Sequence, residues 1–458
     1  ISGTLLLVGM SGCEKTPERP MNVVYILADD LGYGDVGCYG QQIIKTPNID
    51  RMAKEGMLFT QHYAGCTVSA PSRCSLMTGL HTGHTQVRGN REITPEGQQP
   101  MREDTYTLGK LMKSAGYTTG IFGKWGLGNP GSVSIPNKMG FDEFYGYNCQ
   151  RQSHSFYPDH LWHNEEKVLF PENENNACKT YSQDLIHEQA LKFIRDHKEQ
   201  PFFAMLTYTL PHAELNLPHD SIYKMYENSF EETPYIGKFD KVYGGYNTSE
   251  KPLASFAAMV SRLDKYVGDV MAELKELGLD KNTIVIFTSD NGPWLTEHEN
   301  GGSAGPLKDG QGTWWEGGFR VPAICWMLGK INPAINDEIM TSMDLYPTFL
   351  SMAGIEQPKD LVLDGVNQTG LLFEEKHSAR DEVYYWWGSE LMAIRKGEWK
   401  YYFKTIKDQY LRTCKIETPA EPLLYNVETD ISERFNQAEK HPEIVKLLIE
   451  AGEKHKKG

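Results

Sequence analysis

The strongest constraint in this chain is an alternation: short, nearly continuous apolar runs of strand length are separated by segments with helical periodicity. Residues 22–28, 118–122, 202–208, 283–288 and 321–326 are each too short for a free-standing helix and too uniformly apolar for a half-exposed strand. Each therefore reads as a strand buried on both faces. Among the intervening segments, residues 253–277 are the clearest helix, with Phe256, Val260, Leu263, Val267, Met271 and Leu274 at steps of three or four and Gly278 as the stop. Residues 182–197 form a second, with Ser182 placed as its N-cap. Strands that alternate with helices join by right-handed crossovers, so the expected fold is α/β: a large, mostly parallel, doubly wound sheet with helices on both faces.

From about Glu382 the pattern changes. Residues 383–387, 391–395 and 399–403 are aromatic-rich runs too close together for intervening helices, and they predict a small antiparallel sheet closed by a helix over residues 443–453. The expected organisation is a leader and linker over residues 1–20, a catalytic unit over 21–380 and a C-terminal α+β piece over 381–458. Within the leader, an apolar run followed by Ser11-Gly12-Cys13 is similar to a truncated bacterial lipoprotein signal. It is much shorter than the roughly 20 residues that span a bilayer, so Cys13 is the expected lipid-bearing residue. The expected location is then the periplasm or cell envelope, with membrane contact only through that anchor. The other seven cysteines show no pair spacing typical of a metal site or disulfide scaffold. With 61 acidic against 46 basic residues and a net charge of −15, a nucleic-acid backbone is excluded as a partner, and an anionic substrate must be held by a local set of Lys, Arg and His.

In doubly wound sheets, ligands bind beyond the carboxyl ends of the strands. Four runs end in polar groups there: Asp29-Asp30, Lys124 after Gly123, Pro211-His212, and Asp290-Asn291. Taken singly, each Asp reads as a loop cap rather than a ligand. Together, three carboxylates and an amide at one sheet edge repel unless a hard cation holds them, and an all-oxygen set suits calcium better than zinc. Ser69-Ala70-Pro71-Ser72-Arg73 adds a nucleophile. Pro71 fits a first helical turn and Gly79 a helix end, which places Ser69 just before a helix N-terminus, where free N–H groups attract an anion.

At this point the chain resembles the formylglycine-dependent sulfatases, arylsulfatase-like members of the alkaline phosphatase superfamily, in a serine-type bacterial form. The resemblance rests on Ser69-x-Pro71-Ser72-Arg73 with Thr78-Gly79, the Asp pair upstream, Gly123-Lys124-Trp125, Pro211-His212, Ser289-Asp290-Asn291-Gly292 and Trp315-Glu316-Gly317-Gly318. Leu424-Tyr425-Asn426 with Asp430 and Glu433 is similar to the family's C-terminal piece, so the likeness runs from about residue 21 to the end. It implies oxidation of Ser69 to formylglycine by a maturase, one calcium ion on Asp29, Asp30, Asp290 and Asn291 with the modified Ser69 completing the shell, and a sulfated carbohydrate or aryl sulfate as substrate. It further implies that Arg73 steadies the aldehyde hydrate, Lys124 binds sulfate, and His212 binds sulfate or protonates the leaving group.

Two positions depart from the family pattern. Gly126 stands where relatives commonly carry a His that assists breakdown of the intermediate, and His154, in the loop 150–157, is the candidate replacement. Gln311 stands where many relatives carry a Lys, and Lys308 is the candidate to reach the same sulfate, or else a solvated surface lysine. Trp294, Glu297 and His298 follow the calcium loop as candidate sugar contacts, while His81, His84 and, by its type alone, His298 read as packing or surface residues. The chemistry itself favours an aldehyde hydrate over plain serine. One hydroxyl takes the sulfuryl group, and deprotonation of the other expels sulfate by C–O rather than S–O cleavage. Two other readings remain open: a phosphatase or phosphodiesterase of the same superfamily using unmodified Ser69, and a catalytically silent lipoprotein that binds sulfated glycans.

Overall fold

The computed structural model describes residues 19–237, 246–407 and 415–456; Cys13 and the leader lie outside them. Its main sheet has ten strands: β1 (Asn22–Ala28), β2 (Met57–Phe59), β3 (Thr118–Lys124), β4 (Glu143–Tyr147), β5 (His160–His163), β6 (Glu166–Leu169), β7 (Phe202–Thr207), β8 (Thr283–Ser289), β9 (Ala323–Trp326) and β10 (Ala334–Asn336). Their order is β10-β2-β9-β8-β1-β7-β3-β4-β5-β6. The central block β8-β1-β7-β3-β4 is parallel throughout. Strand β9 instead runs antiparallel to both β8 and β2. The connection from β8 to β9 contains only two short helices, Leu295–Gly301 and Glu316–Phe319, and it returns the chain to the edge it left rather than crossing the sheet.

Side chains of a strand alternate between faces, and β1 shows why its run is apolar at every position. Val24, Ile26 and Ala28 enter one core with the helices α1 (Pro47–Glu55), α3 (Ser182–Asp196) and α4 (Pro252–Glu276). Val23, Tyr25 and Leu27 enter the other core, with α2 (Ser69–Thr78) and α5 (Leu345–Met352). Each large apolar side chain buried in this way contributes about 1.5–3 kcal/mol relative to exposure. Helix α4 keeps the expected apolar face and stops at Gly278, whose φ of +69° is the left-handed conformation. Ser182 is not the N-cap of α3 but its first helical residue; the hydroxyl donates to the Phe156 carbonyl at 2.8 Å, and Tyr181 holds the cap position.

Near the C-terminus, β11 (Glu382–Trp387), β12 (Glu390–Lys396), β13 (Trp399–Tyr402) and β14 (Leu423–Asn426) form an antiparallel sheet in that order. One of its faces is covered by α6 (Pro442–His455) through Val445 and Leu448. Its other face packs on Tyr63, Trp314 and Phe319. Buried Lys400 fastens this contact, donating to Glu316 Oε1 at 2.8 Å and to the Trp314 carbonyl at 2.8 Å, with Glu433 Oε1 at 3.3 Å. Although burial opposes it, the nearby Lys400 and Arg395 charges hold the Glu316 carboxyl down to about 2. No helix among the described residues is long and apolar enough to cross a membrane.

Strand register decides what meets at the carboxyl edge. Ala28 pairs with Ser289, so Asp29 and Asp290 leave neighbouring strands at one level. Leu27 and Gly123 both pair with Thr207, which puts Lys124 level with Ala28, one residue short of Asp29. Gly123 sits at φ +121°, and a Cβ there would stand 2.1 Å from the Thr207 carbonyl oxygen. Gly123→Ala is therefore expected to cost roughly 2 kcal/mol or more, through left-handed strain plus a backbone clash. Gly278→Ala, at φ +69° with nothing within 4 Å, meets strain alone, about 1 kcal/mol. Urea unfolding of the two variants measures the difference, and equal losses would contradict this reading of the register.

Candidate active site

Consecutive side chains of an extended chain point to opposite faces, yet Asp29 and Asp30 turn to one point. The break is at Asp30 itself, whose φ of +62° leaves the extended region. Carboxylate oxygens of Asp29, Asp30 and Asp290 all lie within 4.8 Å of one another, and all three residues are buried. Burial, then repulsion from Asp29 and Asp290, pushes the Asp30 carboxyl well above the usual range, and burial with the Asp29 charge raises Asp290 to about 6. Asp29 goes the other way: although burial opposes it, Lys124 and Arg73 hold it well below. Asp30 Oδ2 is buried with no hydrogen-bond partner. Asn291 adjoins the trio, its Nδ2 donating to Asp30 Oδ1 at 2.7 Å. Oxygen donors with an orphaned carboxylate oxygen are a set that a hard divalent cation fits.

Ser69 is the first residue of α2, one position further into the helix than the sequence suggested, with Val68 as N-cap. Its hydroxyl donates to Asp29 Oδ1 at 3.0 Å and lies 3.5 Å from Asn291 Oδ1. Lys124 Nζ donates to Ser69 Oγ at 3.3 Å and to Asp29 Oδ2 at 2.6 Å. One helical turn on, Arg73 shares the face of Ser69. Its Nε and Nη2 donate to Asp290 Oδ2 at 3.1 and 2.9 Å, and its Nη1 donates to the Lys124 carbonyl at 2.8 Å. A single guanidinium thus ties α2 to the ends of β3 and β8. The first-turn N–H of Ala70 is taken by Asn90 Oδ1 at 2.9 Å.

His212 reaches the same point from the loop after β7, with Nε2 3.6 Å from Asp30 Oδ2 and Nδ1 unpartnered. Burial keeps its pKa well below the ordinary histidine value, so the ring is neutral near pH 7. His154, the C-cap of a short helix over Gln150–Ser153, stacks on it with ring centroids 4.9 Å apart. Trp294 stacks on the His212 ring at 5.7 Å, and Tyr246 lies against both histidines and Trp294. Beside His154 opens a cleft of about 710 Å³, lined also by Glu96, Arg151, Gln152, His160 and Lys167.

The structure thus brings Asp29, Asp30, Ser69, Arg73, Lys124, His212, Asp290 and Asn291 together, with His154 behind His212. Lys308 is placed elsewhere. Its ammonium sits 3.3 Å from the centre of the Trp315 ring and donates to the Glu433 carbonyl at 3.4 Å, and none of its described contacts is with the aspartates. Gln311 takes the nearer position, its Nε2 donating to Asp30 Oδ1. Gly126 has φ +74°, and Gln150 Cγ would be 3.5 Å from a Cβ there, so an amide borders the space beside it. Glu297 lies on a short helix over Leu295–Gly301; the His298 side chain is outside the described residues. Sequence reasoning missed Asn90, Gln150 and Tyr246, which stand outside any motif, and it treated Gln311 as a loss rather than as a contact.

Comparison with known proteins agrees with this geometry. The family model "Sulfatase" matches residues 21–355, and the model "C-terminal region of aryl-sulfatase" matches residues 378–458. N-acetylgalactosamine-6-sulfatase of Canis lupus familiaris is 33% identical over 420 residues, covering 86% of this chain and 73% of that protein. Arylsulfatase A of Homo sapiens is 31% identical over 446 residues, 91% of this chain and 83% of its own. Among solved structures, Ps i-CgsB in complex with k-i-k-neocarrahexaose superposes with a TM-score of 0.78 at 28% identity, over 96% of this chain and 93% of that one. A family match over most of the length, together with relatives more than 30% identical, makes this chain a member of the sulfatase family within the alkaline phosphatase superfamily, an enzyme that hydrolyses sulfuric esters.

Proposed function

We propose that the enzyme removes sulfate from sulfated carbohydrates, using a formylglycine made from Ser69 by a dedicated maturase and one calcium ion held by Asp29, Asp30, Asp290, Asn291 and the modified Ser69. The observation that carries this reading is the position of Ser69 Oγ, in the first turn of a buried helix and within hydrogen-bond distance of both Asp29 and Lys124, beside carboxylates whose charge the protein leaves partly unbalanced. Bound calcium would supply the positive charge that balances those carboxylates and would polarise the sulfate. The chain's own groups do the rest. Lys124 and Arg73 set fixed positive charge around the transferring group, where preorganised electrostatics carries most of a rate enhancement. Neutral His212, once it takes up a proton, gives it to the departing oxygen, and His154, whose ring stacks on it, holds it there or acts as the base in the later step. Gln311, rather than Lys308, is the side chain at hand for a further sulfate contact.

Carbohydrate is favoured as the leaving group by three features. The cleft beside His154 offers room for more than a phenol. Trp294 and Tyr246 offer ring faces beside His212. Relatives are named for N-acetylgalactosamine-6-sulfate chemistry, and a solved neighbour is bound to a neocarrahexaose. The apolar run before Cys13 supports export and lipid anchoring, which would place such an enzyme where extracellular glycans arrive.

Mass spectrometry of the peptide bearing Ser69–Arg73, from protein made in its native host, is expected to show loss of two hydrogens at Ser69, with activity proportional to the modified fraction. Ser69→Ala is expected to lower turnover by about a thousandfold or more with the fold intact. Full activity of wholly unmodified protein would instead favour a plain-serine mechanism.

His212→Ala is expected to lower kcat/KM by roughly 100-fold or more on a sugar sulfate, the range for general acid catalysis, and by less than about tenfold on an activated aryl sulfate whose phenolate leaves unaided. Equal losses on the two substrates would assign His212 to sulfate binding.

A further inference from the structure

The loop that follows α2 carries His81 and His84 on either side of Thr82-Gly83, and it is pressed against the C-terminal sheet: a Cβ on Gly83 would stand 2.6 Å from Trp386 Cδ2. The ring of His81 stacks on Trp386 at 5.4 Å and lies 4.0 Å, centroid to centroid, from that of His84. Asp364 meets them from a separate segment. Its Oδ2 accepts the His81 backbone N–H at 2.9 Å and lies 2.9 Å from His84 Nδ1, while the Asp364 and Gly365 backbones donate to the Gly79 carbonyl. His455, near the end of α6, brings a third imidazole, 4.8 Å from the His81 ring and stacked on Tyr384.

Two features of this cluster are unusual for plain packing. His81 is 3% exposed, yet neither of its ring nitrogens has a hydrogen-bond partner; Nε2 lies 3.6 Å from Asp364 Oδ2, too far for a hydrogen bond. His455 Nε2 is likewise buried without a partner. A buried imidazole left so costs free energy unless something takes its lone pair. Apart from the aspartate trio, His81, His84 and Asp364 form the one group of three His, Cys or carboxylate side chains among the described residues whose ligand atoms converge within 4.8 Å.

We propose that His81, His84, Asp364 and His455 form a second metal site, for zinc or a similar borderline divalent transition ion, that fastens α6 and the C-terminal sheet to the loop after α2. Three imidazoles and one carboxylate are a donor set for zinc, in contrast with the oxygen-only set at Asp29, Asp30 and Asp290. Tetrahedral zinc with bonds of about 2.0–2.1 Å needs ligand atoms about 3.4 Å apart, so His81, His84 and Asp364, now within 4.8 Å of one another, have to draw in by roughly 1 Å, and His455, outside that group, has to turn toward them. His84, whose side chain is 43% exposed, has room to turn for this. Such a site is structural: four protein ligands close the shell, and the ion joins parts of the chain far apart in sequence.

The test uses the full chain, stripped with chelator and then saturated with calcium, and titrates it with cobalt(II) as a spectroscopic stand-in for zinc. The expected result is one cobalt per chain with the intense visible absorption of a four-coordinate ion, displaced by zinc, and a zinc-dependent rise in Tm. His84→Asn and His455→Gln are each expected to weaken binding at least tenfold and to abolish the rise in Tm. Both variants should keep the near-UV circular dichroism of the metal-free wild type and its rate of sulfate release, which identifies them as folded. No four-coordinate cobalt spectrum in the wild type overturns the proposal. So does unchanged affinity in either folded variant, or binding that disappears in Asp290→Ala instead.

Discussion

Holding Asp29, Asp30 and Asp290 within 4.8 Å of one another and out of water costs several kcal/mol per ion unless opposite charge is brought in with them. The protein brings in two cations, Lys124 and Arg73, and both lie mainly against Asp29 and Asp290. Asp30 remains with a buried oxygen that nothing satisfies, and its raised pKa is the same fact expressed as proton affinity. Most other features of the site follow from this imbalance. Ser69 finds its hydroxyl hydrogen-bonded to a carboxylate rather than to solvent, Arg73 is fully engaged in tying three elements together, and Gln311 turns its amide onto Asp30.

The sheet is what makes the crowding possible. Parallel strands deliver successive carboxyl ends to one edge, and the pairings of Ala28 with Ser289 and of Gly123 with Thr207 set the height at which each side chain arrives. Helix α2 then lowers Ser69 and Arg73 onto that edge, its ten residues all buried, so that neither side chain has freedom to wander. The C-terminal sheet acts from behind. Through the buried contacts of Lys400 with Glu316 and Glu433 it holds the loop that carries Gln311 and Trp315 against the site.

Much of this was legible before any coordinates. Runs buried on both faces are apolar at every position, which is why residues 22–28 and 283–288 could be read as central strands, and polar residues after such runs then fall at the ligand-binding edge. What could not be read depends on where loops go. Strand β9 has the same apolar character whether it pairs parallel or antiparallel, and only the return path through residues 290–322 decides. Lys308 and Gln311 are three residues apart, and sequence spacing cannot say which of them turns inward; the aromatic face of Trp315 captures the lysine. His154 was placed in a loop of unknown path, and the structure sets its ring against His212. The contacts of His81 and His84 with Asp364 and His455 could not be read from the sequence, because those partners are distant in the chain.

The most direct test of this account is calorimetric titration of chelator-treated protein with calcium, wild type beside Asp290→Ala. A site built around an uncompensated carboxylate trio predicts one calcium per chain in the wild type, a Tm that rises with calcium, and loss of the ion, the rise and the sulfate ester hydrolysis together in Asp290→Ala. Unchanged calcium content in the variant, or a wild type that binds no calcium and remains fully active without it, would contradict the account.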